Sequence, residues 1–267
     1  MSERGGALPS QVGGYRLPGL EGTRALVTGG SRGVGREVSL LLGRSGARVG
    51  VAYRSRQQAA DEVVAELGRG GASAWAVGGD LSQPGSVAEL FREVDGRWGG
   101  LDILVANHGI WPPDPVPLWE MEPEQWRRTL SENLDSIFHL LREGLPRMAS
   151  GGSVVLVSST AAQRGEAMHG DYAASKGALV SLVKGLCVEL APRGIRANVV
   201  APGWIDTEMA APALPTGIRE RVATSIPLGR VASAADVAGP IVFLCTPLAR
   251  HITGEVLNVN GGAVLVG

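Results

Sequence analysis

The chain has 267 residues, and its 25 Lys and Arg nearly balance its 26 Asp and Glu, for a formal net charge of -1 at pH 7. This balance gives no electrostatic reason to expect nucleic acid or an anionic membrane as a partner. No run of about eighteen apolar residues occurs, and the N-terminus lacks the apolar core of a signal peptide. We therefore expect a soluble, cytoplasmic protein that has no membrane partner.

The first 22 residues are rich in Gly, Pro and Ser, which predicts a flexible leader over residues 1–22 and one folded domain over residues 23–267. Within the domain, short runs rich in β-branched residues predict these strands: Arg24–Thr28, Arg48–Tyr53, Ala74–Val77, Leu101–Ala106, Ser153–Ser158, Arg196–Ala201 and Val256–Val259. Helical periodicity predicts helices between them: Val34–Arg44, Gln57–Leu67, Val87–Trp98, Pro123–Met148, Tyr172–Leu190 and Ala234–Cys245.

Alternating strands and helices predict an α/β protein with one parallel sheet and right-handed crossovers. We expect a single-domain, doubly wound Rossmann fold of about seven strands with helices on both faces. The segment Asp206–Ser225 interrupts the alternation with prolines and alanines. Because it follows a strand end on the ligand-binding side of such a sheet, we expect a substrate lid near residues 206–225.

The two cysteines, Cys187 and Cys245, lie in apolar helical stretches and have neither CxxC nor metal-ligand spacing. We interpret them as buried thiols in a reducing compartment, and we expect no metal site.

A glycine-rich loop, TGGSRGVG over residues 28–35, directly follows the first predicted strand and precedes a helix. Glycines let the backbone turn tightly, so that amide groups and a helix N-terminus approach a pyrophosphate. An ordinary strand-to-helix turn is the alternative, but the position within a βαβ unit favours a dinucleotide site.

Tyr172 and Lys176 lie four residues apart in a predicted helix, so they share one helix face. A tyrosine holds its proton to a pKa of about 10, and it acts as an acid or base near neutrality only if the phenolate is stabilised. An ammonium group could provide that stabilisation. The alternative is a chance pair on an exposed helix.

The spacing TGxxxGxG together with YxxxK resembles the short-chain dehydrogenase/reductase family, from about Arg24 to Gly262. The resemblance implies a nicotinamide dinucleotide cofactor and a carbonyl or secondary-alcohol substrate. Ala106 and His108 depart from the family's Asn-Asn-Ala-Gly. The implied cofactor contacts are Gly29, Ser31, Arg32, Gly33, Val34, Gly35, Asp80, Leu81, Asn107, Gly109, Tyr172, Lys176, Pro202, Gly203, Ile205 and Thr207.

The same resemblance implies four catalytic residues, namely Asn133, Ser159, Tyr172 and Lys176. Tyr172 would protonate the carbonyl oxygen and Ser159 would donate a hydrogen bond to it, with Ser158 as the alternative serine. Lys176, with the positive nicotinamide, would lower the pKa of Tyr172 and bind the ribose hydroxyls. Asn133 would help to hold a water that links Lys176 to solvent.

Cofactor choice follows from charge at the end of the second strand. NAD sites of this fold place a carboxylate there, whereas this chain has Arg54 and Ser55. Arg54 can pair with a 2′-phosphate, Ser55 can donate to it, and Arg32 adds a second guanidinium. We therefore predict NADP(H) rather than NAD(H), the alternative being two ordinary solvated arginines.

We predict a carbonyl reductase that resembles the 3-oxoacyl-carrier-protein reductases, with a substrate carried on acyl-carrier protein or CoA. Arg193 matches a family residue that docks the acidic carrier, whereas Ser150 replaces a second arginine and Arg147 lies nearby. Reduction of a sugar, alcohol or secondary-metabolite ketone is the alternative within this class, and a non-catalytic nucleotide-binding protein is the alternative from another class.

Candidate substrate contacts are Trp111, Met168, His169 and Met209, for which core or oligomer packing is an equal alternative, and Trp204 is interpreted as packing. The family assembles as tetramers through the last strand and through helices that correspond to Glu124–Met148 and Tyr172–Leu190. The second of these helices has more apolar positions than one buried stripe needs, which supports a homotetramer. These positions are Ala178, Leu179, Leu182, Val183 and Leu186.

Overall fold

The structure is a computed structural model that describes residues 14–265. Within these residues, seven strands form one sheet in the order β3-β2-β1-β4-β5-β6-β7, and each neighbouring pair is parallel. The predicted doubly wound α/β fold is therefore confirmed. The strands are β1 Arg24–Thr28, β2 Arg48–Tyr53, β3 Ala74–Gly78, β4 Leu101–Ala106, β5 Met148–Val157, β6 Arg196–Pro202 and β7 Val256–Val259.

Helices cover both faces of the sheet, and each face has its own buried apolar cluster. Helices α1, α2 and α9 pack on one face, and α3, α5 and α7 pack on the other. No helix in residues 14–265 is long and apolar enough to cross a membrane. The helices are α1 Gly33–Arg44, α2 Gln57–Arg69, α3 Pro84–Trp98, α4 Pro123–Leu130, α5 Ser136–Gly144, α6 Ala161–Arg164, α7 Gly170–Leu190, α8 Thr216–Ser225 and α9 Ala234–Cys245.

The long helix predicted over Pro123–Met148 is interrupted in the structure. A π-helical turn, Ser131–Asp135, separates α4 from α5, and a 3₁₀ turn, Leu145–Arg147, ends the segment. Strand β5 then begins at Met148, five residues before the predicted start at Ser153. The hydrophobic periodicity is compatible with one continuous helix, so it does not reveal the extra residue that the π-turn accommodates.

The site lies where the chain changes direction across the sheet. Strands β1 and β4 are neighbours, with Thr28 paired to Ala106. Beyond β1 the chain enters α1 on one face, whereas beyond β4 it leads to α4 and α5 on the opposite side. In such sheets the loops diverge at this point and leave a crevice at the carboxyl ends of the strands.

The segment that precedes β1 differs from the expectation of a flexible leader. Residues 1–13 of the predicted leader lie outside the described residues. In the remainder, Leu20 is 1% exposed and belongs to the core cluster that includes α1 and α9. The Leu17 amide donates to Ser45 Oγ at 3.0 Å, and the Gly22 amide donates to the Gly46 carbonyl at 2.8 Å. Residues 17–22 are therefore held against the domain.

Replacing Leu20 tests this docking. Leu20→Ala should lower the free energy of unfolding by about 2–4 kcal/mol, because it removes buried methyl groups and leaves a cavity. The matched control is Leu228→Ala, since Leu228 is 71% exposed and its truncation should cost less than about 0.5 kcal/mol. Urea titration of both variants measures the difference, and equal midpoints would contradict the docking.

Candidate active site

A cleft of about 530 Å³ opens at the carboxyl edge of the sheet. The loops after β1, β2, β3, β4, β5 and β6 all contribute to it, as expected for a doubly wound fold. The predicted site residues that line it are Gly29, Ser31, Arg32, Gly33, Val34, Arg54, Ser55, Asp80, Leu81, Asn107, Gly109, Trp111, Ser159, Tyr172, Lys176, Pro202, Gly203, Ile205, Thr207 and Met209. Four other predicted residues are not in its lining, and these are Gly35, Asn133, Met168 and His169.

The glycine-rich loop forms one wall of the cleft and needs glycine for two different reasons. Gly29 and Gly33 have φ values of +63° and +51°, a backbone conformation that residues with a Cβ rarely adopt. Gly35 has ordinary φ, but a Cβ there would lie 2.2 Å from the Gly29 carbonyl oxygen and 2.6 Å from Asn107 Nδ2. Asn107 Nδ2 donates to the Thr28 and Gly29 carbonyls at 3.2 and 3.3 Å. Gly35 therefore permits this close packing from behind the loop.

Tyr172 and Lys176 project from α7 into the cleft, as the helical spacing predicts. Lys176 is 4% exposed, and its Nζ donates to the Val157 carbonyl at 3.0 Å. Ser159 lines the same cleft, and its hydroxyl favours the ionised form of the Tyr172 phenol. The structure therefore brings the phenol, the ammonium and the serine hydroxyl together at the end of β5.

The electrostatics of this group differ from one part of the prediction. Burial raises the pKa of Tyr172 to about 12, and although the Ser159 hydrogen bond opposes this rise, the nearby Glu166 carboxylate adds to it. Burial also lowers the pKa of Lys176 to about 8. In the chain alone, exclusion of water thus outweighs the expected lowering of the Tyr172 pKa by Lys176.

The two candidate serines have different surroundings. The Ser158 hydroxyl is buried and donates to the Lys176 backbone carbonyl at 2.8 Å. Ser159 Oγ accepts from the Ala161 amide at 3.1 Å and lines the cleft together with Tyr172. Ser158 therefore fixes α7 against β5, whereas among the described residues of α7 the hydroxyl of Ser159 has no backbone acceptor.

Asn133 lies in the π-turn, fully buried behind the cleft. Its Oδ1 accepts from the Ile110 amide at 2.7 Å, and its Nδ2 donates to the Ile110 carbonyl at 2.9 Å. A Cβ on Gly109 would lie 2.9 Å from Asn133 Oδ1 and 3.1 Å from Lys176 Nζ. Glycine at this position therefore lets Asn133 and Lys176 converge beneath the loop that follows β4.

The arginines predicted to hold a 2′-phosphate line the cleft, and each is paired with carboxylates. Arg54 pairs with Asp80 at 3.1 Å and with Glu132. Arg32 pairs with Glu208 at 2.9 Å. They are therefore not simply solvated, as the alternative interpretation held.

Sequence reasoning missed six charged residues of the cleft lining, namely Arg56, Arg128, Glu132, Arg164, Glu166 and Glu208. Arg56 lies within 3.9 Å of Glu208. The feature of the sequence that could have identified it is its place in the polar run Arg54-Ser55-Arg56. Glu132 precedes Asn133 and binds Arg54. Glu166 also lines the cleft, and no pattern in the sequence marks it.

Trp111 and Trp204 give the cleft an aromatic surface. Trp111 donates its indole N–H to Glu166 at 3.2 Å and packs edge-on against Trp204, with ring centroids 6.0 Å apart. Trp204 also lines the cleft, beyond its predicted packing role. His169 instead packs against Trp111 at 4.7 Å, and Met168 is 46% exposed outside the cleft lining.

The predicted carrier-docking arginine has a structural role here. Arg193 donates to the Leu145 carbonyl at 2.7 Å and also to the Met148 carbonyl. The neighbouring Arg147 pairs with Asp95 and Glu143, both at 3.0 Å. These bonds hold both guanidinium groups against neighbouring carbonyls and carboxylates, and carrier docking by Arg193 stays a prediction.

Comparison with known proteins bears on these geometric observations. A family model described as enoyl-(acyl carrier protein) reductase matches residues 29–264. The Staphylococcus aureus protein named 3-oxoacyl-[acyl-carrier-protein] reductase FabG is 35% identical over 240 residues, which cover 89% of this chain and 96% of the relative. The chain belongs to the short-chain dehydrogenase/reductase family. The resemblance inferred from TGxxxGxG and YxxxK is thereby confirmed, and the chain is an oxidoreductase.

Solved structures of family members have the same architecture. The reductase LugOII, described as catalysing keto-reduction at C1 in lugdunomycin biosynthesis, has a TM-score of 0.86 and 37% identity, and the match covers 92% of this chain and 99% of that one. A blue fluorescent protein from a metagenomic library, solved with NADPH, has a TM-score of 0.86 and 36% identity, with the same two coverages.

Filling the space behind the glycine-rich loop should impair this dehydrogenase/reductase. Gly35→Ala places a methyl group against the Gly29 carbonyl, so the loop must move, and nucleotide affinity should fall at least about tenfold. Gly96→Ala is the matched control, because an added Cβ there meets nothing within 4 Å and alanine favours a helix. Fluorescence titration with NADPH measures both, and unchanged affinity in Gly35→Ala would contradict the packing argument.

Proposed function

We propose that this enzyme reduces a carbonyl group to a secondary alcohol with NADPH, and that a 3-oxoacyl thioester is the first substrate to test. One observation carries the proposal. Tyr172, Ser159 and Lys176 come together in a cleft that the glycine-rich loop also lines. NADP(H) supplies or accepts the hydride when it is bound.

The residues around the cleft fit a dinucleotide. A Cβ on Gly35 would displace the loop, and the positive φ values of Gly29 and Gly33 set its turn. The loop leads into α1, whose first-turn amides have no side-chain cap from Arg32. Such amides are suited to a pyrophosphate. Lys176 would hold ribose hydroxyls, and the Ile205 backbone with Thr207 would hold the carboxamide.

In this proposal Tyr172 is the general acid. It donates its phenolic proton to the carbonyl oxygen, and Ser159 donates a second hydrogen bond to that oxygen. Lys176 and the positive charge in the oxidised cofactor then stabilise the phenolate, against the burial that otherwise raises the pKa of Tyr172 to about 12. Asn133 positions the backbone around Lys176, where a water would carry the replacing proton.

The preference for NADP(H) over NAD(H) rests on three guanidinium groups. Arg32, Arg54 and Arg56 all line the cleft, and no carboxylate follows β2. A 2′-phosphate would displace the carboxylates that now pair with these arginines. It carries two negative charges, and two of its oxygens can accept parallel hydrogen bonds from one guanidinium group.

A ketone that no carrier protein delivers is a second candidate substrate. Two observations favour it: Arg193 is bound to backbone carbonyls, and Trp111 and Trp204 present aromatic surface to the cleft. A sugar or secondary-metabolite ketone, or a thioester on CoA rather than on acyl-carrier protein, would suit such a site. LugOII acts as a reductase on a keto group, which supports this alternative.

Substrate assays discriminate these possibilities. NADPH oxidation is followed with a 3-oxoacyl thioester on CoA, the same group on acyl-carrier protein, and a panel of sugar, aliphatic and aromatic ketones. A higher kcat/KM for the carrier-bound thioester than for the CoA thioester would support carrier docking. No NADPH or NADH oxidation with any carbonyl would support instead the non-catalytic nucleotide-binding alternative.

We further propose a cytoplasmic homotetramer with a lid over residues 206–225. Leu179, Val183 and Leu186 are buried in the core, so fewer apolar positions of α7 remain for an interface than the sequence suggested. Val188 on α7 and Phe138 on α5 are 71% and 54% exposed, which supports contact with another copy. Light scattering at micromolar concentration tests the tetramer. A mass near 27.7 kDa, which is that of one chain, would refute the tetramer.

Removing the phenolic hydroxyl tests the catalytic assignment. Tyr172→Phe deletes the transferable proton, so kcat should fall about 10²- to 10⁴-fold, whereas NADPH affinity should stay within a few fold. Tyr15→Phe is the matched control, because Tyr15 is 62% exposed and is not in the cleft lining. Near wild-type kcat in Tyr172→Phe would remove this residue from the mechanism.

Reversing the charge at Arg54 tests the cofactor assignment. Arg54→Asp removes a charge-assisted hydrogen bond of about 1.5–3 kcal/mol and opposes the phosphate with a carboxylate, so KM for NADPH should rise at least about tenfold while NADH is used equally well or better. Arg54→Ala should show a smaller change. Arg92→Asp, on the exposed side of α3, is the control, since the Arg92 side chain is 74% exposed. Wild-type preference for NADH, or an unchanged NADPH/NADH ratio of kcat/KM in Arg54→Asp, would contradict the assignment.

A further inference from the structure

His108 stands at the end of β4, in a position where the family pattern has alanine, and its ring joins two elements of the site. Nδ1 lies 2.7 Å from Thr28 Oγ1, at the end of β1, and Nε2 lies 2.9 Å from Ser136 Oγ, at the start of α5. Both hydroxyl groups belong to residues that are at most 1% exposed. The ring therefore spans from the strand that precedes the glycine-rich loop to the helix that follows the π-turn.

The hydrogen bonds of Ser136 fix the direction of this contact. Its hydroxyl hydrogen is donated to the Glu132 carbonyl at 2.7 Å, so Ser136 Oγ must accept from His108. His108 Nε2 accordingly carries a hydrogen. In a neutral ring Nδ1 is then an acceptor, and it receives the Thr28 hydroxyl hydrogen. Thr28 Oγ1 in turn accepts from the Asn107 amide at 3.1 Å.

The surroundings keep this ring neutral. Burial lowers the pKa of His108 to about 3; the positive charge of Lys176 acts in the same direction, and the negative charge of Asp80 opposes it. A protonated ring would also present a hydrogen to Thr28 Oγ1 from Nδ1, so the Thr28 hydroxyl would have to donate to the Val105 carbonyl at 3.4 Å instead of to Nδ1 at 2.7 Å. The shorter contact therefore favours the neutral form.

The chain of hydrogen bonds ends on the turn that carries Asn133. The Ser136 amide bonds to the Ser131 carbonyl, five residues earlier, as a π-turn requires. The segment that contains His108 contacts this turn at a second point, where the Ile110 amide donates to Asn133 Oδ1. The contacts at residues 108 and 110 therefore fix the turn from both sides of Gly109. A Cβ added to Gly109 would contact Lys176 Nζ, so this part of the loop lies directly beside the lysine.

We propose that His108 is a positioning residue: as the neutral Nε2–H tautomer it links the end of β1 to the π-turn and holds Asn133 in place beside Lys176. His108 also lines the cleft, but in this proposal it acts through Ser136. The kinetic part of this proposal rests on the carbonyl reductase function, whereas the tautomer and the coupling to Ser136 do not.

The tautomer is tested on the wild-type chain with ¹⁵N-labelled histidine. The chain has four histidines, and the His108→Gln variant identifies the signals of His108. Proton-coupled ¹⁵N spectra between about pH 5 and pH 8 should show a hydrogen on Nε2 and none on Nδ1. A hydrogen on Nδ1, or titration of this ring within that range, would overturn the proposal whether or not the enzyme reduces any carbonyl.

Two substitutions separate the donor to Ser136 from the rest of the ring. Glutamine places an amide N–H the same number of bonds from Cα as Nε2, whereas the shorter asparagine amide corresponds to Nδ1. His108→Gln should keep kcat within about twofold of wild type. His108→Asn should lower kcat about five- to tenfold, as expected for one lost hydrogen bond, with KM for NADPH changed by less than about twofold.

A double-mutant cycle checks that the effect passes through Ser136. Adding Ser136→Ala to His108→Asn should cost no more than about a further twofold, although Ser136→Ala alone lowers kcat about five- to tenfold. The same cycle measured by urea unfolding gives the coupling free energy between residues 108 and 136, and this measurement needs no substrate. Additive losses in both measurements, or a His108→Asn enzyme with wild-type kcat and lowered stability only, would show that His108 merely fills space.

Discussion

The hydrogen bond from Lys176 Nζ to the Val157 carbonyl is the contact on which the site depends. It ties the middle of α7 to the last residue of β5, and the Ser158 hydroxyl reinforces this by donating to the Lys176 carbonyl. With α7 fixed in this register, Tyr172 lies one turn before the lysine and lines the same cleft as Ser159. The carboxyl end of an internal strand thus sets the position of these groups.

Burial of this group has an electrostatic consequence. Burial raises the pKa of Tyr172 to about 12 and lowers that of Lys176 to about 8, so at neutral pH the phenol keeps its proton and the ammonium stays mainly charged. Glu166 adds a negative charge nearby and also binds Trp111 in the cleft. A cation bound beside the phenol would reverse this preference, so the chain leaves part of the activation of Tyr172 to what binds next to it.

Most of the fold could be predicted because strand ends coincide with clear changes of residue type: four strands, β1, β2, β4 and β7, have the predicted bounds. The motif spacings likewise placed Tyr172 and Lys176 in the cleft. Periodicity could not show the π-turn, since one extra residue barely changes the apolar pattern. Ion pairs such as Arg54 with Glu132 join residues far apart in sequence, so only the folded chain reveals them.

The central claim is that the convergent groups of this cleft promote hydride transfer to a carbonyl carbon. It is tested most directly with NADPH that carries deuterium on the transferred face of C4, a ketone that the enzyme accepts, and mass spectrometry of the alcohol formed. The account predicts one deuterium on the carbinol carbon, and none in the same product when the label is on the opposite face. An alcohol without deuterium from either labelled cofactor would contradict it.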